Sequence, residues 1–271
     1  VADLGIGIGW RPEIEHFVAG LPGLRFVEVV AEGIGDHLPE SLQQLRDRGV
    51  TVVPHGTRLS LGGAEPVPAD RIEQFARTAR LTGSPLVSEH IAFVRAGGVE
   101  AGHLLPLPRT REAVAAVTAN VRRVQADLDV PLALEPIAAV FDWPDEELKE
   151  AQFVTEILDA TGCPLLLDVA NVYANAINRG QDPVAELTAF PLDRIAYVHV
   201  AGGSATPQEG VYHDTHTDPV PAEVLDLVAE LCRRSTPPGL LLERDGDYPP
   251  AAALAHELDA IADAAGRPRV T

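Results

Sequence analysis

The sequence predicts an α/β fold, a (β/α)8 or TIM barrel, and three observations carry that expectation. Eight short apolar runs occupy residues 4–10, 26–33, 51–56, 86–93, 132–137, 165–171, 195–202 and 239–245. They are nearly continuous in apolar character, as parallel strands buried on both faces are. Segments with three- and four-residue apolar spacing lie between them, so strand and helix alternate along the chain. Nearly every His, Asp or Glu able to hold a metal sits where a run ends, and a parallel barrel is the fold that gathers the ends of its strands at one face. Alternation sustained this long favours a closed barrel over a doubly wound open sheet. No shift in composition marks a boundary, so a single domain over residues 1–271 is expected, with its metal site at the C-terminal ends of the strands.

Each element follows from its residues. The first run reads Gly5-Ile6-Gly7-Ile8-Gly9, whose glycines all face one side of a strand. It is not a dinucleotide-binding loop, because Pro12 follows where the G-x-G-x-x-G pattern needs a helix opening on glycine. The second run carries Glu28 and Glu32, and a short helix over 38–48 ends at Gly49. The third run closes on Pro54-His55-Gly56. Ile72, Phe75, Ala76 and Ala79 then define a helix over 71–81. The fourth run ends Ser88-Glu89-His90; neighbours in a strand face opposite ways, so His90 is expected inward and Glu89 behind it. Val114, Val117, Val121, Val124 and Leu128 give a helix over 109–128, and the prolines of 106–108 and 136–144 mark loops over the barrel mouth.

The fifth run ends at Glu135, and the helix over 146–161 stops at Gly162. The sixth ends Leu167-Asp168-Val169-Ala170-Asn171, where the strand is expected to give way to a loop that carries Arg179. The seventh holds His199, and the loop beyond it supplies Asp214 and His216, whose i, i+2 spacing puts them on one side of an extended segment with His213 facing away. A helix over 221–233, the eighth run ending at Glu243, and a helix over 251–264 complete the circuit.

Bulk properties narrow the function. The 271 residues are 46% hydrophobic, enough for a sizeable core, and carry a formal charge of −19. With no local basic patch, that charge argues against nucleic acid as a partner. No apolar stretch approaches the ~18 residues of a membrane span, and no secretory signal precedes the first run. Two cysteines, Cys163 and Cys232, are too few for a disulfide framework. A cytoplasmic location, without membrane or nucleic-acid contact, is the expectation.

Taken singly, each candidate donor has a plain structural reading: His55 as a hydrogen-bonded core histidine, Glu135 as a salt-bridge member, Asn171 as a helix N-cap. Together, His55, His90, His199 and His216 with Glu135, Asp168, Asp214, Glu243 and Asn171 exceed the three or four protein ligands of one catalytic metal. Two or three ions sharing carboxylates are expected. A His and carboxylate set without Cys suits Fe, Mn or Zn. A guanidinium at Arg179 cannot be a ligand but can take a carboxylate bidentately, so it is a candidate anchor for an acidic group of the substrate.

These residues resemble the DUF692 family, the multinuclear non-heme iron-dependent oxidative enzymes. The matching segments run through most of the chain: Gly7-Ile8-Gly9-Trp10-Arg11-Pro12-Glu13, Pro54-His55-Gly56, Leu59-Ser60-Leu61-Gly62, Ser88-Glu89-His90, Leu104-Leu105-Pro106-Leu107-Pro108, Leu134-Glu135, Leu167-Asp168-Val169-Ala170-Asn171-Val172-Tyr173, His199-Val200-Ala201-Gly202, Asp214-Thr215-His216 and Leu242-Glu243. The resemblance implies a TIM barrel holding two or three irons. It also implies O2-dependent oxidation of a ribosomally made precursor peptide, commonly at cysteine, with a small partner protein often delivering the peptide. Carried over residue by residue, it makes His55, His90, Glu135, Asp168, Asn171, His199, Asp214, His216 and Glu243 the iron ligands. The chain departs from the family pattern at Ala170, where Asn is common, and at Gly203 and Arg179, where His is common; these differences bear on substrate type.

Three other classes compete. A metal-dependent phosphodiesterase such as an apurinic endonuclease has a similar multi-metal barrel, but the charge of −19 argues against binding DNA. A divalent-metal sugar isomerase or epimerase shares the barrel but usually needs a lysine or carboxylate acid/base pair, and Lys149 is the only lysine here. A metal- or peptide-binding scaffold without turnover is the non-enzyme alternative.

Overall fold

The computed structural model describes residues 3–206 and 210–271. In chain order the strands are β1 (Gly5–Gly9), β2 (Phe26–Val30), β3 (Thr51–Gly56), β4 (Val87–His90), β5 (Phe93–Ala96), β6 (Val99–Leu105), β7 (Leu132–Glu135), β8 (Leu165–Asp168), β9 (Ile195–Val200), β10 (Ser204–Thr206), β11 (Val211–His213) and β12 (Gly239–Leu242). The helices are α1 (Glu15–Ala19), α2 (Glu40–Asp47), α3 (Ala69–Thr82), α4 (Arg111–Gln125), α5 (Glu150–Thr161), α6 (Val169–Asn178), α7 (Pro183–Ala189), α8 (Ala222–Arg234) and α9 (Ala251–Ala264). Eight strands close into a parallel barrel, each lying inside one of the eight apolar runs, in the order β1-β12-β9-β8-β7-β4-β3-β2. The fold is a (β/α)8 TIM barrel. Among the described residues no helix is long and apolar enough to cross a membrane.

The core has two parts. Between barrel and helices, the outward residues of the strands pack on the apolar faces of the helices, as Val117, Val121 and Val124 of α4 and Leu254, Leu258 and Ile261 of α9 do. Inside the barrel a separate layer is built from Leu4, Phe26, Val53, Leu86, Ala133, Leu166, Ala196, Tyr197 and Leu241. Side chains alternate along a strand, so the residue two places further on also points inward, one layer nearer the mouth. From Val53 that residue is His55, from Ala133 it is Glu135, from Leu166 Asp168, from Tyr197 His199, and from Leu241 Glu243. The buried layer therefore sets the polar layer above it by period alone.

The glycines of β1 serve this interior. A Cβ at Gly7 would lie 2.4 Å from the Phe26 ring and 2.7 Å from the Phe26 carbonyl oxygen. The missing side chain is what lets the Phe26 ring fill the barrel. Gly7→Ala is expected to lower stability by about 1–3 kcal/mol through overpacking, measured by urea denaturation; an unchanged midpoint would show that the ring has room to move.

Several elements differ from the sequence expectation. The fourth run continues into a hairpin, β5 and β6, joined at Gly97 and Gly98, which have φ of 58° and 79°. A Gly-Gly pair between strand-like segments is a two-residue hairpin turn signal. A second small antiparallel pair, β10 and β11, stands above β9. After β8 the chain does not become a loop: α6 begins at once at Val169, because Asp168 Oδ1 accepts from the backbone N–H groups of Ala170 (2.6 Å) and Asn171 (3.0 Å) and caps it. Arg179 is accordingly the C-cap of α6, not a residue of an open loop.

Candidate metal centre

The strand ends deliver their polar side chains to one cluster. His55 Nε2 lies 3.2 Å from His90 Nε2 and 3.4 Å from Glu135 Oε2, and His90 Nε2 lies 3.2 Å from the same carboxylate oxygen. On the other side of Glu135, Oε1 is 3.2 Å from His199 Nδ1, which is 2.8 Å from Glu243 Oε2. His216 extends the cluster, with Nε2 at 2.6 Å from Asp214 Oδ2 and 3.5 Å from Asp168 Oδ2, and Nδ1 at 3.3 Å from Glu243 Oε2. Among the described residues, donor atoms close enough to share an ion fall into four overlapping groups: His55, His90 and Glu135; Glu135, Asp168, His199 and Glu243; Asp168, Asp214 and His216; and His216, Glu243 and Asp245. Glu135, Asp168, His216 and Glu243 each belong to two of them.

Eight of the nine expected donors thus meet in these groups. The ninth, Asn171, sits in the first turn of α6, lines the same cavity and donates its amide Nδ2 to the Pro136 carbonyl. His213 ends β11 and belongs to none of the four groups.

The chemistry of the set fits cations. Among the described residues, Glu135 Oε2, Asp168 Oδ2, His199 Nδ1 and Glu243 Oε2 are buried and make no well-directed hydrogen bond, and their near neighbours are other donor atoms of the cluster. Burying polar atoms without well-directed hydrogen bonds is costly unless something else satisfies them. Without an ion the imidazoles take the cation's place. Burial opposes charge on His90, but the Glu135 carboxylate, with Glu89 and Glu243, raises it to about 9. Burial likewise opposes charge on His199 and His216, and nearby carboxylates, Glu243 first, hold both well above the usual imidazole value. Burial and the neighbouring Asp214 charge push Asp168 up to about 8. Against burial, His199 and His90 pull Glu135 down, and His199 and His216 pull Glu243 well down.

Above the cluster is a cavity of about 490 Å³, in the range of small-ligand sites. Arg11, Thr57, His103 and Asp245 join the donors in lining it. Arg11 NH2 holds Asp245 Oδ1 at 2.5 Å. The loop bearing Asp214 and His216 folds back against the strand ends: the His216 N–H donates to Gly202 O (3.0 Å) and the Asp245 N–H to His216 O (2.9 Å). A Cβ at Gly202 would lie 2.0 Å from the Asp218 carbonyl oxygen, and one at Gly203 would lie 2.4 Å from that of His213. The space beyond Cα at position 203 is filled by the loop's own backbone and Tyr212.

Arg179 does not line this cavity. Its guanidinium bonds to Asp142 (NH2 to Oδ1, 2.8 Å) and Glu150 (NH1 to Oε2, 3.1 Å), and its bond to Asp142 holds that carboxyl below the usual range. Anchoring a substrate carboxylate there would require displacing one of these partners. Three lining residues lie outside the expected donor set: Arg11 and Asp245 are polar positions flanking strand ends, and His103 lies on β6 beyond the Gly97-Gly98 turn.

The sequence profile of the family described as RiPP precursor modification enzyme MbnB/TglH/ChrH matches residues 5–266. The chain belongs to this family. Among its relatives, a UPF0276 protein of Streptomyces avermitilis is 54% identical over 269 residues, covering 96% of this chain and 55% of that protein. The chain thus spans about half the length of that relative. A UPF0276 protein of Caulobacter vibrioides is 36% identical, covering 94% of this chain and 92% of the relative. Among solved structures, a xylose isomerase domain protein from Planctomyces limnophilus superposes with a TM-score of 0.62 at 14% identity, covering 97% of both chains. Endonuclease IV from Thermus thermophilus does so at 0.64 and 16%, covering 96% of this chain and 98% of that one. At such identities these two likenesses concern the barrel alone.

Proposed function

We propose that this family member holds two or three iron ions in the cluster and, with O2, oxidises a ribosomally made precursor peptide, commonly at cysteine, delivered with the help of a small partner protein. The observation that carries the reading is the sharing of Glu135, Asp168, His216 and Glu243 between overlapping donor groups, which gives more sites than one ion can fill. His55, His90 and Glu135 would hold one ion, and Glu135, Asp168, His199 and Glu243 a second. Asp168, Asn171, Asp214 and His216 would hold a third. When bound, the irons supply the redox chemistry.

The chain's own residues supply the setting. The strand ends fix the donors on rigid elements, and the buried layer beneath them excludes water from below. The cavity admits a segment of peptide, with Arg11 as the cation at its rim. A sugar-isomerase reading finds no lysine base in the site, since Lys149 is exposed beside α5 and lines no part of this cavity.

The test is anaerobic loading with ferrous iron, elemental analysis, and O2 uptake with and without candidate precursor peptides. At least two irons and peptide-dependent uptake are expected; one iron or fewer in iron-replete protein would overturn the reading. The pH dependence of loading has a definite sign. His90, held up to about 9 in the metal-free cluster, is protonated at neutral pH and must give up its proton to become a ligand. Affinity is expected to rise from pH 6.5 towards 9, with protons released on binding. Calorimetry in buffers of different ionisation enthalpy measures this, and a pH-independent affinity would contradict it.

A further inference from the structure

Beneath the donors three buried groups, Ser88, Tyr197 and Glu28, link His55 to His199 in one unbroken hydrogen-bond chain. His55 Nδ1 lies 2.8 Å from Ser88 Oγ, Ser88 Oγ 2.6 Å from the Tyr197 hydroxyl, the Tyr197 hydroxyl 2.6 Å from Glu28 Oε2, and Glu28 Oε2 2.8 Å from His199 Nε2. Each of these residues is at most 3% exposed. The chain runs across the barrel from β3 to β9 by way of β4 and β2, and it joins a donor of the His55, His90 and Glu135 group to a donor of the Glu135, Asp168, His199 and Glu243 group.

The direction of its protons follows from the chemistry of its members. A carboxylate oxygen only accepts, so Tyr197 O–H and His199 Nε2–H both donate to Glu28. The Tyr197 proton being so used, its oxygen accepts from Ser88 O–H. The Ser88 proton being used in turn, its oxygen accepts from His55 Nδ1–H. When each ring carries a single proton, as a metal ligand must, His55 has its lone pair on Nε2, the nitrogen 3.4 Å from Glu135 Oε2, and His199 has its lone pair on Nδ1, 3.2 Å from Glu135 Oε1. Those are the two nitrogens that face the cluster.

We infer that Glu28 is a positioning residue that sets the proton on two histidines of the centre at once, directly on His199 and through Tyr197 and Ser88 on His55. Carboxylates that orient a ligating histidine through its second nitrogen are a general device of metal sites; here one carboxylate serves two ion groups from opposite ends. The inference rests on the reading of the cluster as a metal centre only for its effect on affinity, since the hydrogen-bond chain itself is a property of the metal-free protein.

The experiment uses Zn2+ as the probe on the full chain, with 15N NMR of histidine-labelled protein. Tyr197→Phe keeps the ring that packs edge-on against Phe26 but removes the acceptor of the Ser88 proton, which then turns to His55 Nδ1. In the metal-free variant, at a pH where the His55 ring is neutral, its proton is expected to move from Nδ1 to Nε2. One Zn2+ is expected to bind at least about tenfold more weakly, while the site containing His199 keeps its affinity. Ser88→Ala, which removes the acceptor of the His55 proton, should repeat this selective loss if Tyr197→Phe folds poorly. Glu28→Gln should weaken both sites. A Tyr197→Phe protein with the His55 proton still on Nδ1 and full Zn2+ affinity overturns the inference. Wild-type protein that binds at most one Zn2+ instead counts against the multinuclear centre, and the NMR result still decides the proton chain.

Discussion

Glu135→Gln is expected to empty the centre. Its two oxygens face different donor groups, Oε2 towards His55 and His90 and Oε1 towards His199, so one isosteric change removes an anionic donor from both. Loss of an orienting partner alone typically costs 10–100-fold in metal affinity, and loss of a shared ligand is expected to exceed about 100-fold at both sites. Asp168→Asn should also lower metal content, but the two changes should move metal-free stability in opposite directions. His199 and His90 hold the Glu135 carboxyl below its ordinary value. Its contribution is therefore present at neutral pH and lost as pH falls through the folded value, and removing the carboxylate destabilises the metal-free fold. Asp168 is raised to about 8, so it favours the fold only where it is protonated and costs stability as pH rises from its unfolded value through about 8. An Asn there cannot ionise and still caps α6, and a gain of about 1 kcal/mol, a few degrees in Tm, is expected at neutral pH. Metal analysis and melting of the metal-free proteins check both; equal shifts in Tm, or full metal content in Glu135→Gln, would refute the assignment.

The largest loss of stability is expected from Glu257→Leu. Arg244 is 2% exposed, and its NH2 bonds Glu257 Oε1 of α9 at 2.5 Å while NH1 donates to the Thr217 carbonyl. Glu257 also accepts from the Val220 N–H at 3.3 Å. Removing the carboxylate leaves a buried guanidinium without its counter-charge, a defect that costs about 3–5 kcal/mol. It also frees one tie on the segment that follows His216. The double variant Arg244→Met with Glu257→Leu replaces the pair by apolar volume and should recover most of the loss. Urea denaturation of the two variants provides the check; a single variant within about 1 kcal/mol of wild type would mean that the guanidinium finds water.

The barrel was legible because its signal is local. Each strand is a short apolar run, and its alternation puts Val53 and His55, or Leu166 and Asp168, on the same side without knowledge of any other strand. What escaped depends on partners distant in sequence. Arg179 looks free until α6 carries it beside Asp142 and Glu150, 37 and 29 residues away. Glu28 is legible as an inward polar residue two places after Phe26, but its role appears only when β9 brings Tyr197 and His199 across the barrel, 169 and 171 residues later. The length of α6 was missed for another reason. Asp168 is both cap and donor, one oxygen on the helix and one on the cluster, and the sequence reading gave it only the second task. The hairpin at Gly97-Gly98 lies just beyond the fourth run, and β6 is exposed over most of its length, with Glu100, Gly102 and His103 interrupting it, so it offers no apolar run to read.

The closed layer of Leu4, Phe26, Val53, Leu86, Ala133, Leu166, Ala196, Tyr197 and Leu241 makes the centre a cul-de-sac. Among the described residues the way to the donors lies through the cavity at the other end of the barrel. On the proposed function, arrivals in that cul-de-sac would queue. Ions would have to be seated before a peptide, because a seated peptide would block the way in behind it. The same peptide would then act as a stopper, shielding the ions from chelators for as long as it stayed and opening the vestibule again only when it departed.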